Sequence, residues 1–293
     1  MDINFELYKV FYHVASTMSF SAASERLYVS QSAVSQSIKT LEEKLQCSLF
    51  FRNTKKVRLT KEGEVLFKHV EQAYNFIKSG ERTIEEMHSL NQGEIRIGAS
   101  DTICKYYLMP YFKQFNSAYP NIRISVINRT SPKCIELLKN GSVDFSVINV
   151  PEKLSYSNMT IKKTRELRDI FIAGANYFDL RGKSMSLKEL EKYPMLALEK
   201  NTITREYYDR LMELHGVDIT PEVDLGSVDV LIDMARIGLG IAFVPEFCIK
   251  KEDSNEIFIL NIKEKIPERY MGIVTLDNIP LSIAAQKFIE MLR

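Results

Sequence analysis

The chain has no tryptophan and only four cysteines, Cys47, Cys104, Cys134 and Cys248, none of them in a CxxC pair. A disulfide-stapled scaffold and a cysteine-based zinc site are thereby excluded. Reduced, mostly buried thiols are the expectation, with a redox sensor as the alternative. Histidine is equally scarce: His13, His69, His88 and His215 are scattered without metal-ligand spacing. An excess of charge of one sign is also missing. The 39 Lys and Arg nearly balance 38 Asp and Glu, so the protein is not uniformly polycationic, although local patches remain open. No apolar run approaches the ~20 residues of a membrane span. The opening MDINFELYKV has neither the basic nor the apolar region of a secretory signal. The expectation is a soluble, cytoplasmic protein without a membrane partner.

Signatures of enzyme chemistry are missing too. Gly182-Lys183-Ser184 looks like the end of a phosphate-binding P-loop, but the earlier glycine of that motif would fall at Tyr177. Gly238-Leu239-Gly240 lacks the third glycine of a dinucleotide fingerprint. No Ser/His/Asp set carries a recognisable local signature. No catalytic residue, metal or cofactor is expected.

What is present falls into three stretches. Residues 1–59 hold short helices and a strand pair. Phe5, Tyr8, Phe11, Tyr12 and Ala15 form a helical stripe, and Ser21 is a plausible N-cap for a helix containing Ala22, Ala23 and Leu27. After a break at Tyr28-Val29, Ser30 caps a third helix, and SLFFR and KVRLT read as a small hairpin around a polar tip. Residues 60–90 form one long helix capped by Thr60. In it Leu66, Val70, Ala73, Ile77, Gly80, Ile84 and Met87 recur at alternating steps of four and three, which is a coiled-coil seam. The alternative is an amphipathic helix packed on its own chain. From residue 91 onward, strands such as EIRIGAS, IRISVINRT and IAFVPE alternate with helices such as PKCIELLKNG and TREYYDRLMELHG. That alternation predicts a largely parallel α/β architecture, long enough for two lobes.

The third helix, in the stretch VSQSAVSQSIKTLE, is unusual. Serine and threonine are mediocre in helix interiors, yet it carries Ser32, Ser35, Ser37 and Thr40. Projected at about 100° per residue, Ile38, Leu41 and Leu45 lie within about 40° of Val34, while Ser35, Lys39, Ser32 and Gln36 lie between about 100° and 200° from it. Such a small, mostly uncharged, donor-and-acceptor face can enter the DNA major groove. The alternative is a merely solvated face, though solvated faces lean on Glu and Lys. Context favours DNA. A short helix, a tight break and then this helix is the helix-turn-helix order. The run 39–61 holds seven basic side chains against Glu42 and Glu43, a local cationic patch where a wing would meet phosphates.

With these residues in place, the chain resembles the LysR-type transcriptional regulators. The matching positions include Phe11, Val14-Ala15, Ser19-Phe20, Ala22-Ala23, Leu27, Ser30-Gln31, Ala33-Val34-Ser35, Ile38, Leu41-Glu42, Leu49-Phe50, Arg52, Leu59-Thr60 and Gly63, with GLGIAFVP at 238–245. The resemblance implies an N-terminal winged helix-turn-helix (1–59), a linker or dimerisation helix (60–90) and a two-lobed α/β effector domain like a periplasmic binding protein (91–293). Lobe I would comprise about 91–162 and 267–293, and lobe II about 163–266. Four positions depart from the family: Ser32 stands where proline is usual, Cys47 where glycine is usual, and Gln36-Ser37 where Arg-Gln is frequent. Base preference therefore does not carry over. By resemblance Gln31, Ser32, Ser35 and Gln36 would contact bases, and Ser30, Lys39, Arg52 and Lys55 phosphates.

In the effector half, hydroxyls recur where a strand hands over to a helix: Ser100 and Thr102, Thr130 and Ser131, Thr202 and Thr204, and Ser227. Each also has an ordinary role as an N-cap. Together they mark the cleft in which the resemblance places the effector, and hydroxyls with free N–H groups predict a small carboxylate or oxyanion ligand. Arg129 and Arg205 stand one residue away and are expected to face water. Cys104 and Cys134 lie near helix N-termini, where thiolates are stabilised, but 199–208 lacks the cysteine that peroxide sensors of the family use there. The expected partners are double-stranded operator DNA, a small effector and a second copy joined through the linker helix, extended to a homotetramer. The rival reading is a solute-binding protein or enzyme on the α/β half, without DNA function.

Overall fold

Capping decides where the first elements begin. In the computed structural model, which describes residues 2–51, 56–88, 93–151, 158–250 and 256–292, Asn4 accepts a hydrogen bond from the Glu6 N–H and opens α1, Phe5–Thr17. The second helix, α2, Phe20–Leu27, is capped by Ser19 and not by Ser21. Ser19 is the extended residue, and its Oγ takes the Ala22 N–H at 3.2 Å. Tyr28 then turns the chain in the left-handed region at φ 55°, and its N–H bonds the Ser24 and Glu25 carbonyls. Ser30 caps α3, Gln31–Leu45, as its sequence position predicts. The buried stripe of α3, Val34, Ile38 and Leu41, packs with Phe11, Val14 and Ala15 of α1 and with Leu49 and Phe50.

The departure at Cys47 has a local explanation. Gln46 carries the left-handed turn at φ 56°, and the Cys47 N–H bonds the Glu42 carbonyl at 3.2 Å. Position 47 thus needs no glycine. Phe50 pairs with Leu59, and the Phe51 N–H reaches the Arg58 carbonyl at 3.0 Å, forming the base of the hairpin. Its tip, with Arg52 and Lys55, lies outside the described residues. Thr60 caps α4, Lys61–His88, by accepting from the Gly63 N–H and donating to the Ser48 carbonyl. Gly63 is required by closeness: a Cβ there would lie 2.2 Å from the Leu49 carbonyl oxygen.

The chain divides into two compact units, one built on Met1–Ile84 and the other on Glu85–Leu138 and Val143–Arg293. Among the described residues, the second has two five-stranded sheets and one two-stranded sheet. Its strands are β1 Gly93–Ala99, β2 Ile122–Asn128, β3 Phe145–Val150, β4 Met159–Leu167, β5 Asp169–Ala173, β6 Ser184–Met185, β7 Met195–Leu198, β8 Val223–Leu225, β9 Ile241–Pro245, β10 Phe258–Ile259, β11 Asn261–Ile262 and β12 Arg269–Leu276. Its helices are α5 Asp101–Ile103, α6 Met109–Ala118, α7 Ser131–Lys139, α8 Ile203–Leu214, α9 Val228–Arg236 and α10 Ile283–Met291.

The first sheet runs β2-β1-β3-β12-β4 and the second β10-β5-β9-β7-β8. Each lobe combines parallel pairs (β1 with β2 and β3; β7 with β8 and β9) with antiparallel ones (β12 with β3 and β4; β5 with β9 and β10). The expected largely parallel architecture is therefore corrected to mixed. The reason is topological. The chain leaves lobe I along β4, enters lobe II at β5 and returns along β12, and of these β12 and β5 run against the parallel core of their lobes. Between β6 and β7, Leu187–Lys192 forms a short 3₁₀ turn with a capping box at Ser186 and Glu189. Lobe I is packed on Ile95, Ile97, Phe115, Phe145, Ile273 and Phe288. Lobe II is packed on Phe171, Tyr208, Leu211 and Phe243.

Candidate functional site

In the first unit, the polar face of α3 is open. Gln31, Ser32, Ser35, Gln36 and Lys39 are all exposed, while Val34, one residue from Ser35, is buried. The hydroxyls that would strain the helix are accommodated locally. Ser30 Oγ and Ser32 Oγ are 2.9 Å apart, and Thr40 Oγ1 donates to the Gln36 carbonyl at 2.9 Å. Ser32, Ser35, Gln36 and Lys39 line a concavity of about 490 Å³ together with Phe51 and Val57 of the hairpin. Lys39 approaches Glu43 at 3.8 Å with both side chains more than half exposed, a weak and screened pair. Lys56 and Arg58 are exposed beside this face.

One residue that matters was given no structural role in the sequence reading. Glu42 is buried, and its Oε1 accepts from the Leu49 N–H at 2.7 Å and the Phe50 N–H at 3.3 Å. The carboxylate thus ties the base of the wing to the third helix and also lines the concavity beside Ser35, Gln36 and Lys39. Its sequence signal is faint: a glutamate beside Leu41 on the buried stripe.

The linker helix splits its seam. Leu66 and Val70 pack against the unit's own core, while Ala73, Ile77, Gly80 and Ile84 are exposed. A groove of about 560 Å³ runs between α1 and α4, lined by Phe5, Tyr8, Leu66, Val70, Ala73 and Ile77 among others. Phe5 is 70% and Ile77 51% exposed, a large apolar cost for a face left in water. Deeper in this unit, Tyr12 stacks on Tyr74 at 4.1 Å between ring centres, and His13 meets the Tyr74 hydroxyl at 3.4 Å. Burial, helped by Arg26, Lys9 and Lys78, holds the His13 imidazole below its ordinary pKa.

In the second unit, the predicted hydroxyls separate into two groups. At one rim, Ser100 caps α5 (Ile103 N–H, 3.4 Å), and Ser227 caps α9 (Val230 N–H, 3.5 Å). Thr102 is half-buried in α5. This rim is bridged between the lobes. A π-helical turn at Cys104–Leu108 presents Lys105 and Tyr106, and both reach Asp229 Oδ1, at 2.6 and 2.5 Å. Single π turns inside helices commonly mark working sites. The Lys105 and Tyr106 hydrogen bonds hold the Asp229 carboxyl below its usual range against the opposing effect of burial.

At the other rim, Ser131 is buried and its Oγ accepts from the Asn149 N–H at 3.2 Å. Thr202 caps α8, taking the Arg205 N–H at 3.2 Å. Thr204 is buried, with its Oγ1 3.4 Å from Arg269 Nη2. Here a cavity of about 240 Å³ is lined by Val150 and Pro151 from lobe I, Ile203, Glu206, Tyr207 and Arg210 from α8, and Arg269 at the start of β12. None of these seven was singled out in the sequence. Val150, Ile203 and Tyr207 look like core in a linear reading, and Arg269 looks like a surface cation.

Two expectations are corrected. Arg205 does not face water: it is 5% exposed and donates to Asp209 (2.7 Å) and the Leu198 carbonyl (3.0 Å), a role internal to lobe II. Arg129 is exposed as expected. The cysteines carry no stabilised thiolate. Burial pushes the Cys104 and Cys134 thiols up to about 11, and Cys248 higher still. Cys134 Sγ donates to the Arg129 carbonyl at 3.3 Å. Desolvation outweighs the helix N-termini, and redox sensing loses its chemical basis at these three positions. Among the described residues no group of His, Cys, Asp and Glu could hold a metal ion, and no helix is long and apolar enough to cross a membrane.

Comparison with known proteins accounts for both units. Residues 5–64 match the family model described as bacterial regulatory helix-turn-helix protein, lysR family. Residues 88–293 match the LysR substrate binding domain. A probable RuBisCO transcriptional regulator of Synechocystis is 28% identical over 99% of this chain and 86% of its own length. Among solved structures, full-length CbnR in complex with its target DNA superposes with a TM-score of 0.70 at 16% identity, covering 99% of each chain. The Synechocystis CcmR regulatory domain in complex with 2-PG superposes with 0.62 at 24% identity, covering 69% of this chain and 96% of that one. A helix-turn-helix with an open polar reading helix, a long α4 and a cleft between two mixed α/β lobes thus stand in the order that both models require, and the chain belongs to the LysR family of transcriptional regulators.

Proposed function

We propose that this regulator reads its operator through the exposed face of α3 and adjusts that binding in response to a small carboxylate or oxyanion held between the lobes. Residues 1–59 would do the reading, 60–90 the pairing and 91–293 the sensing. Gln31, Ser32, Ser35 and Gln36 contact base edges, and Ser30 and Lys39 contact phosphates, joined by Arg52 and Lys55. The observation that carries this reading is the coincidence of an exposed Ser/Gln/Lys face on α3 with a buried carboxylate, Glu42, fixing the wing beside it. A solvated helix face needs no such clamp.

Two copies pair through α4. The exposed Ala73, Ile77 and Ile84 and the α1–α4 groove fit a second amphipathic helix at coiled-coil spacing. A two-fold dimer would read a partly palindromic site, and contacts between second units would extend it to a tetramer. No catalytic step is assigned to the chain, and its site of action is the cytoplasm, where its DNA is.

The effector lies among Ser100, Thr102, Ser131, Thr202, Thr204 and Ser227, on the two rims of the cleft. It acts only through its different affinity for the two lobe arrangements. The test is fluorescence anisotropy with duplex DNA from the protein's own upstream region at several salt concentrations. Binding should weaken steeply with salt, and its affinity or footprint length should change when organic acids are screened. Binding with no salt slope would defeat the DNA reading; a footprint indifferent to every acid would defeat the sensing one.

A further inference from the structure

Resting on the reading of the cleft as the sensing site, the structure assigns its specificity to a residue outside the predicted hydroxyl set. Arg269 is 4% exposed. Its Nε donates to Asp169 Oδ2 and its Nη2 to Asp169 Oδ1, both at 2.6 Å, and Nη2 also approaches Thr204 Oγ1. The guanidinium sits over the Tyr207 ring, 4.8 Å from its centre. Tyr207 is fixed in turn by its hydroxyl, which donates to the Pro267 carbonyl. Three sides of the guanidinium are thereby immobilised. The fourth group, Nη1, is buried and has no hydrogen-bond partner among the described residues, and Arg269 lines the 240 Å³ cavity. A buried charged donor without an acceptor is costly, and it is tolerated in a binding site because a ligand supplies the missing acceptor.

The rest of the wall defines what that ligand is. Asp169 already balances the charge of Arg269, and Glu206 and Arg210 lie one turn apart on α8 in the same lining, so the cavity offers directed donors with little net positive charge. Multiply charged anions are disfavoured there, and a single carboxylate is accommodated. Val150, Pro151, Ile203 and the Tyr207 ring provide an apolar surface beside the donor, suited to a carbon skeleton.

We infer that Arg269 Nη1 receives the carboxylate of a small, partly apolar monocarboxylic acid whose chain lies against Val150, Pro151, Ile203 and Tyr207. Because β12 and β5 are the strands at which the chain passes between lobes, a ligand on Arg269 bears directly on the Arg269–Asp169 pair that joins them. The six hydroxyls position and cap the walls, and Arg269 selects.

The experiment uses the full-length protein and straight-chain monocarboxylates from acetate to hexanoate, each beside its neutral amide, with inorganic phosphate as the dianionic comparison. Binding is read by thermal shift and calorimetry. One or more of the carboxylates should stabilise the wild-type protein, and the matching amide and phosphate should not. Arg269→Lys keeps a cation beside Asp169 but has no Nη1. It should weaken the responding carboxylate by about tenfold or more, the loss of one charge-assisted hydrogen bond. The paired variant Asp169→Asn/Arg269→Gln removes both charges together and should show the same loss if Arg269→Lys does not fold. Equal binding to wild type and both variants, equal binding of acid and amide, or no carboxylate response in the wild type would each overturn the inference. If a carboxylate binds the variants as well as the wild type and still alters operator binding, only the role of Arg269 falls. If operator binding responds to no ligand, the sensing function itself falls.

Discussion

On α3, Ser32, Ser35 and Gln36 present their polar groups to solvent beside a fully buried stripe. In the second unit, Ser131 and Thr204 are buried and already engaged, one with the Asn149 N–H and the other near Arg269. The same residue types thus stand in opposite conditions. The reading surface proposed for the first unit lies mostly on one helix and the neighbouring hairpin. The sensing site proposed for the second is divided between the lobes, with hydroxyls in its walls and an arginine far away in sequence as the open hydrogen-bonding group. A surface that must meet a large, regular partner can be written in one short stretch. A cleft that must discriminate and move is assembled from several.

The largest effect should come from breaking the first unit's framework. Gly63→Ala places a Cβ against the Leu49 carbonyl, 2.2 Å away before relaxation. The hairpin base must shift, at a cost of about 1–3 kcal/mol or more. Operator binding and the denaturation midpoint should both fall, and a variant as stable as wild type would show that the wing is not seated on α4 in this way. Next is Glu42→Ala, which leaves the Leu49 and Phe50 N–H groups without their acceptor. The expected loss is about 1.5–3 kcal/mol of stability, measured by urea denaturation, with weaker DNA binding even where the protein is fully folded.

The second unit should respond more gently. Asp229→Asn removes the charge that holds Lys105 and weakens the acceptor of Tyr106. Because the Lys105 and Asp229 side chains are 43% and 31% exposed, the ion pair itself is worth about 1 kcal/mol or less. The readout is faster amide exchange at Cys104–Leu108 with little change in melting temperature; unchanged exchange would mean that this bridge does not hold the rim. The pH dependence separates the units further. His13 has a folded pKa below its unfolded value, so the unfolded chain binds more protons in the window just below 6.5. The first unit should therefore lose stability as pH falls through that window, and His13→Asn should flatten the dependence. The smallest effect is a null one. Cys104→Ser and Cys134→Ser should leave operator binding before and after peroxide treatment indistinguishable from wild type, since both thiols stay protonated near neutrality.

How much of this could be read in the sequence follows from the same contrast. Helix periodicity, the Ser30 and Thr60 caps and the polar face of α3 are local patterns, and all were readable. The cap at Ser19, two residues before the expected Ser21, was not, because backbone conformation decides between the two serines. The mixed sheets were missed because antiparallel pairing of β12 with β3 and β4 joins segments more than 100 residues apart. Glu42 and Arg205 were misread for a related reason: a charged residue is presumed exposed, and only tertiary packing shows which ones are buried with partners. The 240 Å³ cavity is the extreme case, drawing on residues from 150 to 269 with no shared motif.

The account turns on whether the open side of α3 meets base pairs. Its most direct test is footprinting on the natural operator across a salt series, comparing wild type with Gln36→Ala and Lys39→Ala. Gln36→Ala should lose about 1–3 kcal/mol on the operator and little on unrelated DNA, while Lys39→Ala should weaken both and lower the salt slope by about one. Footprints unchanged by both substitutions would contradict it.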